Sequence, residues 1–328
     1  MSSVRLLQFA RGFDRRRQRR PTYLSNYQYR QFSDQDSQKL CFKYANFLSS
    51  VKSNGKDEDG KVTHQYMLDN KVCEIIIDNP SKRNSINGKM MGDIARIFDE
   101  ILLEKKRKPL AVIIRGAGNF FCSGADLSLS LNEVNTPEKG LQMSHFMTDA
   151  LNSLRASDIL SVSLLNGPAL GGGAELATTC DWRIVDSRAY IQFVHARIGA
   201  SPGWGGGGRL LHIVGRQHAL RLLATSERIK AQEMLKIGLA DHVIEPTAEK
   251  ESDATALSHY YLQSVLDYLK PYMEQPYESS VKGIKSIIAA SERSEGDMAE
   301  VEKQIFLHQW ASDDNKHGIS TFLSRKSK

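Results

Sequence analysis

Two ionisable side chains stand out by their setting. Glu175 lies in NGPALGGGAEL, and His195 lies twenty residues on in FVHARIGASPGWGGGG; both stretches are rich in glycine. A carboxylate and an imidazole can steer or transfer a proton at a reacting carbon. Each also has a plain structural role. An acid in the first turn of a helix stabilises its dipole by roughly 0.3–1 kcal/mol, and a lone histidine commonly packs half-buried.

The glycines narrow the chemistry. A P-loop needs GxxxxGK[ST], and GPALGGGAE has no lysine. The dinucleotide fingerprint needs glycines at its first, third and sixth places, but Gly171, Gly172 and Gly173 are followed by Ala174, Glu175 and Leu176. Glu175 would also repel a phosphate. A glycine run that follows a buried strand and opens a helix presents backbone N–H groups at the positive end of that helix. Such donors suit negative charge on a small acyl oxygen. One loop supplies one good donor, and NFFCSGADL (Asn119–Leu127), which also follows an apolar strand, can supply a second. The alternative for each glycine, a turn with positive φ, stays open at this level. There is no HExxH and no His/Asp cluster with ligand spacing, so no metal and no separate cofactor are expected. Ser123 and Ser201 lack the GxSxG setting of a nucleophile elbow.

The elements that must carry these loops follow from hydrophobic patterning. KVCEIIIDNP predicts a buried strand stopped by Asn79-Pro80. In NGKMMGDIARIFDEILLEKK, the residues Met91, Ile94, Ile97, Phe98, Ile101 and Leu102 fall at helical spacing. LAVIIRG and ILSVSLLNG read as further apolar strands. Strand, helix, strand, helix, strand is the order of an α/β fold with helices covering the sheet, and ligand sites of such folds lie beyond strand ends. From about residue 216 the pattern is helical, with two short helices, the second ending near Gly238. Leu257, Tyr261, Val265 and Leu269 then form an amphipathic stripe. Three regions are expected: a tail and linker over 1–60, a core over 61–255 and a helical C-terminal region over 256–328.

With 328 residues, the chain is long enough to bury a sizeable core. No apolar run is long enough to span a membrane. The four cysteines lie far apart without metal or disulfide spacing, which fits a reducing compartment. The net charge of +6 gathers near the N-terminus, where Asp14 is the only acid in the first 33 residues. An Arg-rich, acid-poor start reads as a mitochondrial presequence, with RQFS (Arg30 to Ser33) as its cleavage region; a disordered basic tail on a cytosolic protein is the alternative. Nucleic-acid binding is not expected, because the basic run stands outside any folded motif and carries no aromatic stacking pattern.

Taken in order, CSGADL (Cys122 to Leu127), NGPALGGGAELATTCDWRI and FVHARIGASPGWGGGGRL resemble the enoyl-CoA hydratase/isomerase (crotonase) superfamily over about residues 65–310. The resemblance implies an α/β spiral of ββα repeats, a helical C-terminal region that joins subunits, a homotrimer or homohexamer, and an acyl-CoA thioester substrate. It places an oxyanion hole on the backbone N–H groups of Ala125 and Gly172. It sets Lys82 and Arg83, and a C-terminal Lys285, near the phosphates of coenzyme A.

One position departs from the pattern. Hydratases of this superfamily use two glutamates; the first matches Glu175, and the second falls on His195. Hydration and double-bond isomerisation both lean on that second acid. ALGGGAEL, CDWR, FVH and PGWGG together resemble the ethylmalonyl-CoA decarboxylase branch, with Trp204 walling the acyl pocket. Decarboxylation of a 2-alkylmalonyl thioester takes its electrons from the departing carboxylate and needs no strong base. The alternatives are a hydratase or isomerase of fatty-acid oxidation, and a non-catalytic relative that binds acyl-CoA or RNA.

Overall fold

The computed structural model describes residues 44–51, 60–104, 108–246, 253–275, 278–292, 306–307 and 310–324. The basic N-terminal segment and most of the expected linker lie outside the described residues. Six strands form the main sheet: β1 (Lys61–Met67), β2 (Val72–Asp78), β3 (Ala111–Gly116), β4 (Leu160–Leu165), β6 (Trp182–Asp186) and β9 (His242–Ile244), paired in that spatial order. β1 and β2 pair antiparallel, and every later pair is parallel. β5 (Ala169–Leu170), β7 (Tyr190–Gln192) and β8 (Ile229–Lys230) form a small second sheet.

The apolar runs become strands because both faces are covered. All six residues of β4 are buried. Its two hydroxyls are satisfied internally, Ser161 Oγ donating to Asp181 Oδ2 at 3.0 Å and Ser163 Oγ to the Ala177 carbonyl at 3.1 Å, as buried polar groups require. The helix expected after β2 is α2 (Gly88–Leu103), following α1 (Ala45–Ser50). The Asn87 side chain caps α2, accepting from Met90 N at 2.9 Å, and Met90, Met91, Ile94, Ile97, Phe98 and Ile101 are buried.

Two further helices, α3 (Leu127–Asn132) and α4 (Pro137–Arg155), separate β3 from β4, and α5 (Gly172–Ala177) follows β5. The next helix, α6 (Gly206–Thr225), is two helical segments that meet at Gly215, whose φ of 73° and ψ of 169° are not helical; helix therefore runs on from residue 216 as expected, and the glycine run opens an additional segment before it. Beyond α7 (Ala231–Lys236), the C-terminal helices are α8 (Ala254–Met273), α9 (Glu278–Glu292) and α10 (Asp313–Ser324). The α8 stripe packs as expected, with Tyr261, Val265 and Leu269 buried and Leu257 partly so. Among the described residues, no helix is long and apolar enough to cross a membrane.

β2, β3 and β4 are parallel, so their carboxyl ends lie on one edge of the sheet. The loops leaving them are tied by two buried asparagines. Asn84 Nδ2 donates to the carbonyls of Ala117 and Phe120, at 2.9 and 2.6 Å. Asn166 accepts from Gly116 N at 3.1 Å and donates to Gly116 O and Gly118 O, at 2.9 and 2.7 Å.

Candidate active site

The loop after β3 and the loop after β4 lie side by side. Cys122 and Ala169 form a parallel bridge, with Leu170 N donating to Cys122 O at 2.9 Å. Gly124, at φ 93°, presses on the neighbouring loop so closely that a Cβ there would stand 2.9 Å from Gly172 N. A second bridge joins Ile86 to Ala125: Ile86 N donates to Gly124 O at 2.8 Å, and Asp126 N donates to Ile86 O at 2.9 Å. In a parallel bridge of this kind Ile86 uses both its main-chain groups, and the Ala125 N–H faces away from it. Gly172 is the first residue of α5, where an N–H has no intrahelical acceptor. Among the described residues, the N–H groups of Ala125 and Gly172 have no hydrogen-bond acceptor.

Glu175 sits one turn into α5 and is 1% exposed. Its carboxylate is enclosed by donors. Oε1 accepts from His195 Nε2 at 3.0 Å and Gly203 N at 3.3 Å; Oε2 accepts from Trp204 N at 2.7 Å and Gly206 N at 2.9 Å. Burial acts to raise its pKa. The His195 hydrogen bond and charge, the Gly206 N–H and the Arg209 guanidinium outweigh it and hold the carboxyl below its ordinary value. Glu175 is therefore an anion and can only accept, so Nε2 of His195 must carry the hydrogen between them. Nδ1 of the same ring is buried and has no partner among the described residues.

Short elements bring this pair together. β5 and β7 pair in parallel, Leu170 opposite Gln192, and Gly171 N donates to Gln192 O at 3.0 Å. The chain entering α5 and the 3₁₀ turn Val194–Ile198 therefore run alongside each other. α10 holds that turn from behind, with Asn315 Nδ2 donating to Ile198 O at 2.9 Å. Arg209, buried on α6, ties the two halves by donating to Glu175 O at 3.1 Å and to Trp204 O at 2.7 Å. Ser144 Oγ fixes the Gly203 carbonyl at 2.6 Å.

Two glycines here have steric reasons. A Cβ on Gly206 would lie 2.4 Å from Glu175 Cγ, and one on Gly172 would lie 2.6 Å from the Trp204 ring. The Trp204 indole, 2% exposed, thus lies directly on the peptide that carries the Gly172 N–H.

The structure brings Ala125, Gly172, Glu175, His195 and Trp204 to one place. Lys82 stands at the edge of it, exposed, with Nζ 3.3 Å from Asp126 Oδ2 on the loop of Ala125. Arg83 is exposed, in the left-handed region at φ 55°, and its carbonyl accepts from Ser123 N at 3.0 Å. Lys285 is not brought to this group. It is 6% exposed, pairs with Asp181 and donates to Arg155 O at 3.0 Å, on the wall of a 570 Å³ apolar cavity that Trp182, Tyr272 and Ile284 also line. Sequence reasoning missed Gly203, Gly206 and Arg209 as the groups that hold Glu175. The available signal was the glycine-rich PGWGGGG beside a buried acid that had to find donors.

The enoyl-CoA hydratase/isomerase family profile matches residues 68–328. Ethylmalonyl-CoA decarboxylase of Xenopus tropicalis is 36% identical over 79% of this chain and 82% of its own length. The human protein of that name is 30% identical over 77% and 78%. Crystal structures of enoyl-CoA hydratases from Mycobacterium avium subsp. paratuberculosis and Bacillus halodurans share the fold. They have TM-scores of 0.67 and 0.66 at 21% and 20% identity, over 80% and 79% of this chain and 96% and 99% of theirs. The chain belongs to the enoyl-CoA hydratase/isomerase (crotonase) family.

Proposed function

We propose that the protein decarboxylates ethylmalonyl-CoA, releasing CO₂ and butyryl-CoA, and turns over methylmalonyl-CoA more slowly. The observation that carries this reading is the composition of the site: two unengaged N–H groups beside a single carboxylate that is paired with a histidine, not with a second acid. The resemblance to relatives named ethylmalonyl-CoA decarboxylase supports it.

The thioester oxygen is assigned to the Ala125 and Gly172 amides. With that oxygen held, the bond to the substrate carboxylate breaks heterolytically. Its electron pair passes into the thioester as an enolate, and CO₂ leaves neutral. Fixed dipoles aimed at developing charge are worth about 10²–10³ in rate per donor. The Glu175–His195 pair serves the reacting carbon, which must then gain one proton. Trp204 limits the acyl pocket against Gly172. Lys82 and Arg83 are assigned to the coenzyme A phosphates at the exposed edge.

The assembly proposed is a homotrimer or homohexamer, supported by the apolar residues that α9 exposes, Ile284, Ile287 and Ile288; light scattering on the purified protein tests it. A mitochondrial location is proposed from the basic N-terminus, and a fusion of residues 1–40 to a fluorescent reporter tests that. The central experiment incubates the protein with ethylmalonyl-CoA and with crotonyl-CoA and follows both by mass. Rapid hydration of crotonyl-CoA without CO₂ release from ethylmalonyl-CoA would overturn the decarboxylase reading.

A further inference from the structure

We infer that Glu175 and His195 do different jobs: Glu175 is a positioning anion that acts only through His195, and His195 Nδ1 is the atom that gives the enolate its proton. This rests on the decarboxylase reading above.

A carboxylate offers about four lone-pair directions, and four donors already surround Glu175: His195 Nε2, Gly203 N, Trp204 N and Gly206 N. Three of them are main-chain N–H groups, which cannot turn round and accept. A proton placed on Oε2 would point at Trp204 N–H or Gly206 N–H, so the carboxyl is badly suited to carry one between turnovers. It is also 1% exposed, with no lone pair left for a water or a substrate atom.

The histidine presents the opposite case. Its ring is fixed at one nitrogen by Oε1 and held by the β5–β7 pairing and by Asn315. Its other nitrogen, Nδ1, is buried and has no partner among the described residues. A buried polar nitrogen without a partner is a costly arrangement, about 1–3 kcal/mol, and a bound substrate would relieve it. In the proposed step the Nδ1–H bond breaks and a C–H bond forms at the α-carbon, using the enolate electron pair. The imidazolium becomes neutral imidazole with its lone pair on Nδ1, while Nε2–H stays on Glu175. A solvent proton restores the ring after product leaves.

The test begins with wild-type turnover. Absence of CO₂ from ethylmalonyl-CoA there overturns the decarboxylase reading, separately from this inference. Given turnover, His195→Gln, Glu175→Gln and the double variant are compared, with thermal melts to confirm folding. His195→Gln is expected to lower kcat by about 100-fold or more with KM little changed. In D₂O it should yield 2-deuterio-butyryl-CoA without stereochemical preference, where the wild type gives one configuration. The double variant should be no slower than His195→Gln alone, because residues that act as one unit are not additive. The inference fails if His195→Gln still protonates stereospecifically within about tenfold of the wild-type rate. It fails equally if Glu175→Gln adds its full separate loss on top of His195→Gln. Should the Glu175 variants not fold, the stereochemical result with His195→Gln or His195→Asn decides alone.

Discussion

Two carboxylates in this molecule are equally buried and differently finished. Glu175 and Asp186 are each 1% exposed. Asp186, at the end of β6, accepts from Arg188 N, Nε and Nη2 at 2.7, 3.0 and 2.7 Å, and from the Tyr261 hydroxyl on α8. Arg188 also donates to Tyr261 at 2.8 Å. That cluster clips α8 to the sheet. The Glu175 cluster is made of main-chain dipoles and one histidine, and it ends on a buried nitrogen with no partner among the described residues. The Glu175 cluster thus keeps one buried polar atom that a bound molecule could match.

The contrast predicts that the two sites fail differently. Gly206→Ala, which drives a Cβ to 2.4 Å from Glu175 Cγ, should lower kcat for ethylmalonyl-CoA by about 10³-fold, since displacing the carboxylate also misplaces His195. Steady-state kinetics beside a urea melt measure it. Asp186→Ala should do the reverse. It should remove about 1–3 kcal/mol of stability by leaving the Tyr261 hydroxyl and the half-exposed Arg188 without their acceptor, while kcat per folded molecule stays within about twofold. Equal loss of activity in both variants would erase the distinction.

Lys285→Met extends the comparison to a third buried pair. Loss of a charged hydrogen bond to Asp181 should cost about 2–3 kcal/mol, with KM for the thioester unchanged. A raised KM without loss of stability would instead return Lys285 to the nucleotide. Acid unfolding gives a gentler test. Burial opposes ionisation of Asp186, but Arg188 and Tyr261 outweigh it and hold its pKa below the ordinary 3.8. Its stabilising contribution is thus fully present above that unfolded value and is lost as pH falls through the lower folded one. Urea melts between about pH 5 and pH 2 should show a shallower acid slope in Asp186→Asn. Lys82→Ala should have the smallest effect, a KM increase of about threefold that high salt removes.

The long elements were readable from the sequence because their signals are local. The Ile75–Ile77 run, the α2 periodicity and the Tyr261–Val265–Leu269 stripe each declare themselves within one window. The two glycine loops were also readable as segments leaving strand ends, since each follows an apolar strand. The contact between Glu175 and His195 was not, because it depends on β5 and β7, strands of two and three residues that are too short to carry a pattern. The cradle of Gly203, Trp204 and Gly206 was invisible for another reason: main-chain donors have no side-chain signature. The pairing of Lys285 with Asp181 was not readable, because the two lie 104 residues apart in the chain. The start of α6 was missed because glycine, a poor helix former, fills its first turn.

The four donors around Glu175 also bear on how this site could change. Replacing His195 by glutamate would bring a second negative group against Oε1, where the donor that now matches it would be gone. One of the two acids would then have to stay protonated, yet the Trp204 and Gly206 N–H groups leave no place for that proton on Oε2. The shared proton would then sit on the acid at position 195 and be donated to Oε1, and Glu175 would keep its charge. The same donors thus decide which of two acids at these positions could be the charged one.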